Sequence, residues 1–191
     1  CTAFETESEH SNLPVILKLA QALIGSTTYA RFGAAAGPML TDVLRRSLAL
    51  LQRPEEERKF ATECYGVILA GVSTQVPIPA VCELLSEPGD GSLLSIVARD
   101  CASERTGQVR IAALLTLQGI GRVYPALVAL HWAEGVSAVL VECLGETLSD
   151  HAEQLRLHAA KVQRAFAYAR EAQQWRLRVS KPLGVDRGPL G

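Results

Sequence analysis

The chain has 191 residues, of which 48% are hydrophobic but only 5% aromatic, so we expect a core of Ala, Leu and Val in closely spaced helices. Its 19 basic and 20 acidic side chains leave a net charge of −1, which excludes a global field that would draw the chain to nucleic acid or to an anionic membrane. The five cysteines are an odd number without C-x-x-C spacing, so buried thiols in a reducing compartment are predicted rather than a zinc or redox pair.

The beginning of the chain is acidic. Residues 1–11 contain three glutamates and no Lys or Arg, and they are predicted to form a solvated lead-in before a helix cap at Asn12. The chain starts with Cys rather than Met and shows no signal peptide, which indicates an excerpt of a larger chain. The most apolar stretch, 123–144, is interrupted by Pro, His, Glu and Gly, so a transmembrane segment is not expected.

Helices are predicted in chain order from apolar periodicity and from the Gly and Pro signals between them. The expected segments are 13–24, 29–36, 39–52, 54–72, 80–86, 93–101, 106–120, 125–133, 136–148 and 151–179. Segment 106–120 is the clearest, because an apolar stripe runs along it beside Arg110, and Gly119 and Gly121 are expected to end it.

Helix, tight turn and helix repeat roughly every 35 to 45 residues, which is the period of stacked helical hairpins. The predicted fold is therefore all-α: a right-handed α-solenoid of HEAT- or armadillo-like hairpins over residues 12–150, followed by a long C-terminal helix. That helix occupies 151–180, and residues 181–191 have the Gly and Pro content of a flexible tail.

The long C-terminal helix is predicted to be amphipathic and basic. Leu155, Ala159, Val162, Phe166 and Ala169 form one narrow apolar seam, and residues 151–191 carry eight Lys or Arg against three acidic residues. We expect the helix either to dock on the acidic remainder of the chain or to present a basic face to a neighbouring subunit. The candidate partner-binding residues are Arg156, Val162, Arg164, Phe166, Arg170 and Trp175.

No catalytic, cofactor-binding or metal-binding residue is predicted. His151 and His158 lie two helical turns apart without a third ligand nearby, which does not favour a metal site. His131 next to Trp132 has no Cys or Ser at a spacing that suggests an activated nucleophile. The acidic run 55–57 follows a proline and suits the positive end of a helix dipole better than acid-base chemistry.

A family resemblance is carried by two segments, SLLSIVARDCASERTGQVRIAALLTLQGI (92–120) and ALHWAEGVSAVLVECLGETLSD (129–150). They resemble a recurrent passage in the large α-solenoid scaffold nucleoporins of the nuclear pore inner ring, and the upstream ERKFATECYGVILAG resembles the helix before that passage. The matching positions are Arg99, Asp100, Gly107, Arg110, Ala113, Leu114, Leu117, Gly135, Leu140, Val141 and Leu144. Cys101 stands where this passage has Ala.

The resemblance implies a non-enzymatic scaffold subunit of the nuclear pore complex that binds neighbouring nucleoporins at the nuclear envelope, in nucleocytoplasmic transport. A HEAT- or armadillo-type adaptor in transport or signalling, in the cytoplasm or nucleus, stays open as an alternative, and so does an all-α enzyme. The expected partners are other protein subunits of a large assembly, without a small-molecule substrate or cofactor. The absence of a recognised module does not favour nucleic acid.

Overall fold

The computed structural model describes residues 12–32, 35–53, 60–102, 104–127 and 136–179, with the side chains of the last helix described through Ala172. Across these ranges the regular secondary structure is helical and contains no strand, which confirms the all-α prediction. The helices described are α1 Leu13–Ser26, α2 Tyr29–Phe32, α3 Ala36–Leu51, α4 Ala61–Val72, α5 Pro79–Ser86, α6 Leu93–Asp100, α7 Gly107–Val123, α8 Val136–Leu144 and α9 Ala152–Val179.

Two of the predicted helix starts show the expected proline or cap. Pro79 opens α5 in the first helical turn, where a missing N–H costs nothing. The Ser92 hydroxyl accepts a hydrogen bond from the Ser95 N–H and caps α6, as predicted. Neither Asn12 nor Thr106 makes a side-chain cap, although the Thr106 carbonyl accepts the first intrahelical hydrogen bond, from the Arg110 N–H, at 3.0 Å.

The helices pack in a regular order. In one row α4 packs between α1 and α7, and α7 packs between α4 and α9. A second set of helices covers this row: α3 packs on α4 and α5, α6 packs on α7, and α8 packs on α9 and α6. The interior between the two sets is mainly aliphatic, and it includes Leu114 and Leu117 of α7, both predicted to be core.

The predicted C-terminal end of α7 is wrong in an informative way. Gly119 and Gly121 do not end α7, which continues to Val123. A Cβ atom at Gly119 would collide with Oγ of Ser73, the residue after α4, and one at Gly121 would lie 3.0 Å from the Phe166 ring of α9. The two glycines therefore let α7 approach a neighbour on each side, which is a packing role rather than a capping role.

Other boundaries also differ from the prediction. The segment expected at 29–36 contains α2 and the first residue of α3. α8 was expected to end at 148 but ends at Leu144, and the N–H of the next residue, Gly145, donates to the Val141 and Glu142 carbonyls. The helix expected over 54–72 begins at Ala61, after a turn at Phe60. Residue 54, the cluster 55–57 and the end expected at 133 lie outside the described residues. The lead-in 1–11 and the tail 181–191 lie outside them as well.

Candidate interaction surfaces

The apolar seam of α9 is buried within the chain. Val162 is fully inaccessible and Phe166 is 2% exposed, and the seam packs on α7 and α8. Of the two arrangements expected for this helix, the described part adopts the first, in which it docks on the rest of the chain. Val162 and Phe166 are therefore interior residues in this arrangement, and their surfaces face α7 and α8 instead of solvent.

α7 and α9 run parallel to each other. A Cβ atom at Gly107 would lie 2.6 Å from His151 Nδ1, and one at Gly121 would lie 3.0 Å from Phe166 Cε2, so both helices advance together along the contact. At both contacts α7 has a glycine, and a Cβ atom there would lie closer to the neighbouring side chain than an ordinary van der Waals contact. The sequence signal for this close approach is a glycine near each end of one helix.

The basic candidates of α9 lie on its outer side. Arg156 donates to the Glu146 carbonyl at 2.7 Å, and the exposed Arg164 donates to the Ala160 carbonyl of its own helix at 3.4 Å. Arg170 is exposed as well. The side chain of Trp175 lies outside the described side chains. The structure thus separates the predicted set into buried apolar residues and exposed arginines, which do not share one surface.

A buried guanidinium links three parts of the chain. Arg110 is 2% exposed, and its Nε donates to the Cys101 carbonyl at 3.0 Å. One terminal nitrogen donates to a Glu146 carboxylate oxygen at 2.6 Å, and the other contacts Cys143 Sγ at 3.7 Å. The Cys143 thiol itself donates to the Cys101 carbonyl at 3.3 Å. Arg110 therefore joins the end of α6 to α8 and to the turn before α9.

The ionisable groups around Arg110 are shifted in the directions that this geometry requires. The hydrogen bond from Arg110, aided by the Leu148 N–H, lowers the pKa of Glu146 to about 2. Burial acts to lower the pKa of Arg110, but its bonds to Glu146 and Cys143 raise it overall. Burial raises the pKa of Cys101 and, with a smaller opposing effect from Arg110, the pKa of Cys143. Both thiols stay protonated and poorly nucleophilic at neutral pH.

A second buried cluster surrounds Asp100. Its carboxylate is inaccessible, accepts a hydrogen bond from the Tyr65 hydroxyl at 2.8 Å, and pairs with Arg99 at 3.3 Å and Arg105 at 3.2 Å. Burial, reinforced by the Asp100 charge, raises the pKa of Tyr65. The cluster ties α4 to the end of α6. None of its members lines the cavity between α4, α7 and α9 or the smaller cavity beside Pro88 and Val136.

An open groove of about 700 Å³ lies between α4, α7 and α9, and we call it the α7 groove. Arg122 and Arg164 provide its positive charge, and Tyr168 stands at its edge with 74% of its surface exposed. No acidic side chain occurs among its described lining residues. Those residues are Leu69, Ser73, Leu115, Gln118, Gly119, Gly121, Arg122, Pro125, Arg164, Ala165 and Tyr168.

An apolar surface lies at the opposite end of the helix row. Val15, Leu19 and Leu23 of α1 are 65%, 59% and 58% exposed, and their spacing places them on one face of the helix. Leu17, two residues from Val15, is fully buried against the remainder of the chain. We call Val15, Leu19 and Leu23 the α1 stripe.

Among the described residues, no group of three or more His, Cys, Asp or Glu is placed to hold a metal ion. His158 is partly buried, its Nδ1 has no hydrogen-bond partner, and burial together with nearby Lys161 lowers its pKa. The four cysteines in the described ranges are free thiols, three of them buried. No helix in these ranges is both long and apolar enough to cross a bilayer. His131 and Trp132 lie outside the described residues.

Sequence reasoning missed the burial of Arg110 and the exposure of the α1 stripe. The signal for Arg110 was a single charge inside an Ala- and Leu-rich run, and the signal for the stripe was apolar residues on more than one side of α1.

Comparison of the chain with protein-family models, with curated proteins and with solved structures finds no match.

Proposed function

We propose that this chain is a non-enzymatic scaffold subunit that joins a large protein assembly by stacking its α1 end on a helical neighbour. The observation that carries the proposal is the α1 stripe, three large apolar side chains exposed on one face of an end helix. Single exposed apolar residues are common, but a contiguous exposed row marks an interaction surface.

The packing order supports a stacked-hairpin architecture. In the described row α4 and α7 each have a helix on both sides, whereas α1 packs on α4. A row of this kind fits the right-handed α-solenoid of HEAT- or armadillo-like hairpins that we propose for the chain. In such solenoids each repeat contacts only its neighbours, and an end repeat without a polar outer face needs a further element to cover it.

The buried polar groups favour a structural role over an enzymatic one. Asp100 is paired with Tyr65, Arg99 and Arg105, and Arg110 is paired with Glu146. Burial raises the pKa of the Cys101 and Cys143 thiols. A catalytic site needs ionisable groups that converge on a cavity reached by substrate. Tyr65 and Glu146, whose pKa values are shifted, instead make hydrogen bonds to residues of other helices.

The nuclear pore inner ring is the assembly that we propose, at the nuclear envelope. The support is the resemblance of residues 92–120 and 129–150 to the inner-ring scaffold nucleoporins. Within this resemblance, Asp100 and Arg110 are the two matching charged positions that make buried links between helices. A HEAT- or armadillo-type adaptor would share the same fold, so the identity of the partners separates the two functions.

The test is affinity purification of the full chain from nuclear-envelope fractions, with Leu19→Glu/Leu23→Glu as the disrupting variant. Both residues are exposed, so we expect the variant to melt like the parent and to lose its recovery of inner-ring nucleoporins. Leu148→Glu is the matched control, because Leu148 is 94% exposed outside the α1 stripe, and this variant should keep its partners. Recovery of cargo or kinases in place of nucleoporins would establish the adaptor function, and equal recovery by all variants would exclude the α1 stripe as the interface.

A further inference from the structure

We propose that the α7 groove binds a short acidic segment of a partner protein that carries one apolar side chain. α4, α7 and α9 form the groove, and none of its described lining residues belongs to α1. The groove is therefore a second surface, separate from the α1 stripe, and its role does not depend on the proposed scaffold function.

α7 gives the groove an apolar end and a basic end. Leu115, Gln118 and Arg122 follow one another at three- and four-residue spacing, so they lie along one face of α7. Leu115 and Arg122 are separated by about 10 Å along the helix. Leu69 of α4 and Ala165 of α9 add apolar atoms to the two walls. A ligand that covers Leu115 therefore removes apolar surface from water, and one that reaches Arg122 meets a positive charge.

The basic end contains two guanidinium groups from different helices. Gly121 of α7 lies beside the Phe166 ring of α9, and the two helices run parallel. Arg164 therefore lies within about one helical turn of Arg122. Both arginines are exposed, and the hydrogen bond described for Arg164 goes to the Ala160 carbonyl of its own helix. The described lining contains no Asp or Glu to neutralise them, so charge complementarity selects an acidic ligand.

The middle of the groove suits a polypeptide main chain. Gln118 lies between the apolar and basic ends, and Ser73 lies close to Gly119 beside it. The carboxamide and the hydroxyl both donate and accept hydrogen bonds, which matches the alternating N–H and C=O groups of an extended peptide. A nucleic-acid strand is held by a longer run of cations and several stacking rings, whereas the described lining has two arginines and one aromatic residue, Tyr168. The groove therefore favours a peptide.

The length of the groove sets the spacing in that peptide. An extended chain advances about 3.3 Å per residue, so the distance of about 10 Å from Leu115 to Arg122 corresponds to about three residues. The expected ligand has one aliphatic or aromatic residue and, about three positions away, two Asp or Glu residues. The apolar residue supplies most of the affinity, whereas the carboxylates supply specificity.

The test is selection from a random dodecapeptide library displayed on phage, with the full chain as the immobilised target. We expect the enriched sequences to contain one aliphatic or aromatic residue and, about three positions away, two Asp or Glu residues. The same selection on Arg122→Glu/Arg164→Glu should enrich sequences with Lys or Arg at those positions. Enrichment of the same sequences on both targets, or of no acidic sequence on the parent, would overturn the proposal.

The affinity of the selected peptide is then measured by fluorescence anisotropy at low ionic strength. Arg122→Glu/Arg164→Glu should weaken binding about tenfold or more, because two attractions become repulsions. Leu115→Ala should weaken binding about threefold without changing its salt dependence, because this variant removes apolar contact and no charge. Melting curves of both variants establish that the fold is kept.

The matched control is Lys18→Glu/Arg31→Glu, which makes the same change of net charge at exposed positions outside the groove and should bind the selected peptide like the parent. Equal weakening in this control would contradict the proposal, as would an unchanged affinity in Arg122→Glu/Arg164→Glu or in Leu115→Ala. Tighter binding of a labelled oligothymidylate, lost in Arg122→Glu/Arg164→Glu, would assign the groove to nucleic acid. Self-association of the parent that the same variant abolishes would assign it to a second copy, and both results would refute the peptide site.

Discussion

The helix row ends in two different ways. α9 buries one narrow seam and turns arginines and glutamines outward, whereas α1 buries Leu17 on one side and exposes the α1 stripe on another. Both helices are amphipathic in sequence, but α9 exposes Leu157 and Tyr168, which are 11 residues apart, whereas α1 exposes three apolar residues in one row. An end helix with a surplus apolar face is the feature that separates a finished end of a stack from one that continues.

The largest difference between the two ends should come from a buried charge. Val162→Asp would place a carboxylate without a partner in a fully buried position of α9, at a cost of about 3–5 kcal/mol. Leu19→Asp on α1 should change stability by less than about 0.5 kcal/mol, because Leu19 is exposed. Urea unfolding monitored by circular dichroism measures both, and comparable losses in the two variants would show that the α1 stripe is covered within the chain.

The next effect separates the seam of α9 from its basic face. Phe166→Ala should destabilise the chain by about 3–4 kcal/mol, because it leaves a cavity against α7. Arg164→Ala removes an exposed side chain and should cost less than about 0.5 kcal/mol. If thermal unfolding placed Arg164→Ala near Phe166→Ala, then charge rather than apolar burial would hold α9 in place.

Two glycine substitutions compare the interior of the row with its end. Gly121→Ala should destabilise the chain by about 1–3 kcal/mol, because the new methyl group presses on the Phe166 ring at 3.0 Å. Gly25→Ala on α1 has no atom within 4 Å of the new methyl group and should stabilise the helix by about 0.5–1 kcal/mol. Differential scanning calorimetry would detect the opposite signs, and a stabilising Gly121→Ala would mean that α7 and α9 are less closely packed.

The last effect, that of Glu146, is present at neutral pH and disappears in acid. The pKa of Glu146 is lowered in the folded chain to about 2 from an ordinary value of 4.5, so its contribution to stability is complete above pH 4.5 and is lost as the pH falls towards 2. Glu146→Gln should therefore be less stable than the parent at pH 7, and this difference should shrink between pH 4.5 and 2. Urea midpoints at several pH values test this, and two parallel curves would contradict it.

Features that depend only on residues within one helix could be predicted from the sequence. The extent of α9 was nearly correct because no Pro or Gly interrupts residues 152–179, and its seam has a single period. The cap at Ser92 was predicted correctly because the hydroxyl and its N–H partner lie three residues apart. Both features depend on residues that are close together in the sequence, and the folded chain retains them.

Features that depend on partners far along the chain could not be predicted. Gly119 and Gly121 look like a helix end, and only the positions of Ser73 and Phe166 reveal them as contact points. Arg110 donates a hydrogen bond to the carboxylate of Glu146, which lies 36 residues later in the sequence. The α1 stripe was missed because a helix with apolar residues on several sides does not say which side a neighbour covers.

The bonds of Arg110 have a consequence for how the chain opens. Arg110 is 2% exposed, and its guanidinium bonds to the Cys101 carbonyl, the Cys143 thiol and Glu146. If α8 and the following turn unfolded alone, this buried cation would lose its contacts with Cys143 and Glu146. Stacked helices otherwise fray from their ends one at a time. We therefore expect α6, α7, α8 and the beginning of α9 to open as a single foldon whose amides share one protection free energy in hydrogen exchange, and α1 to exchange independently of them.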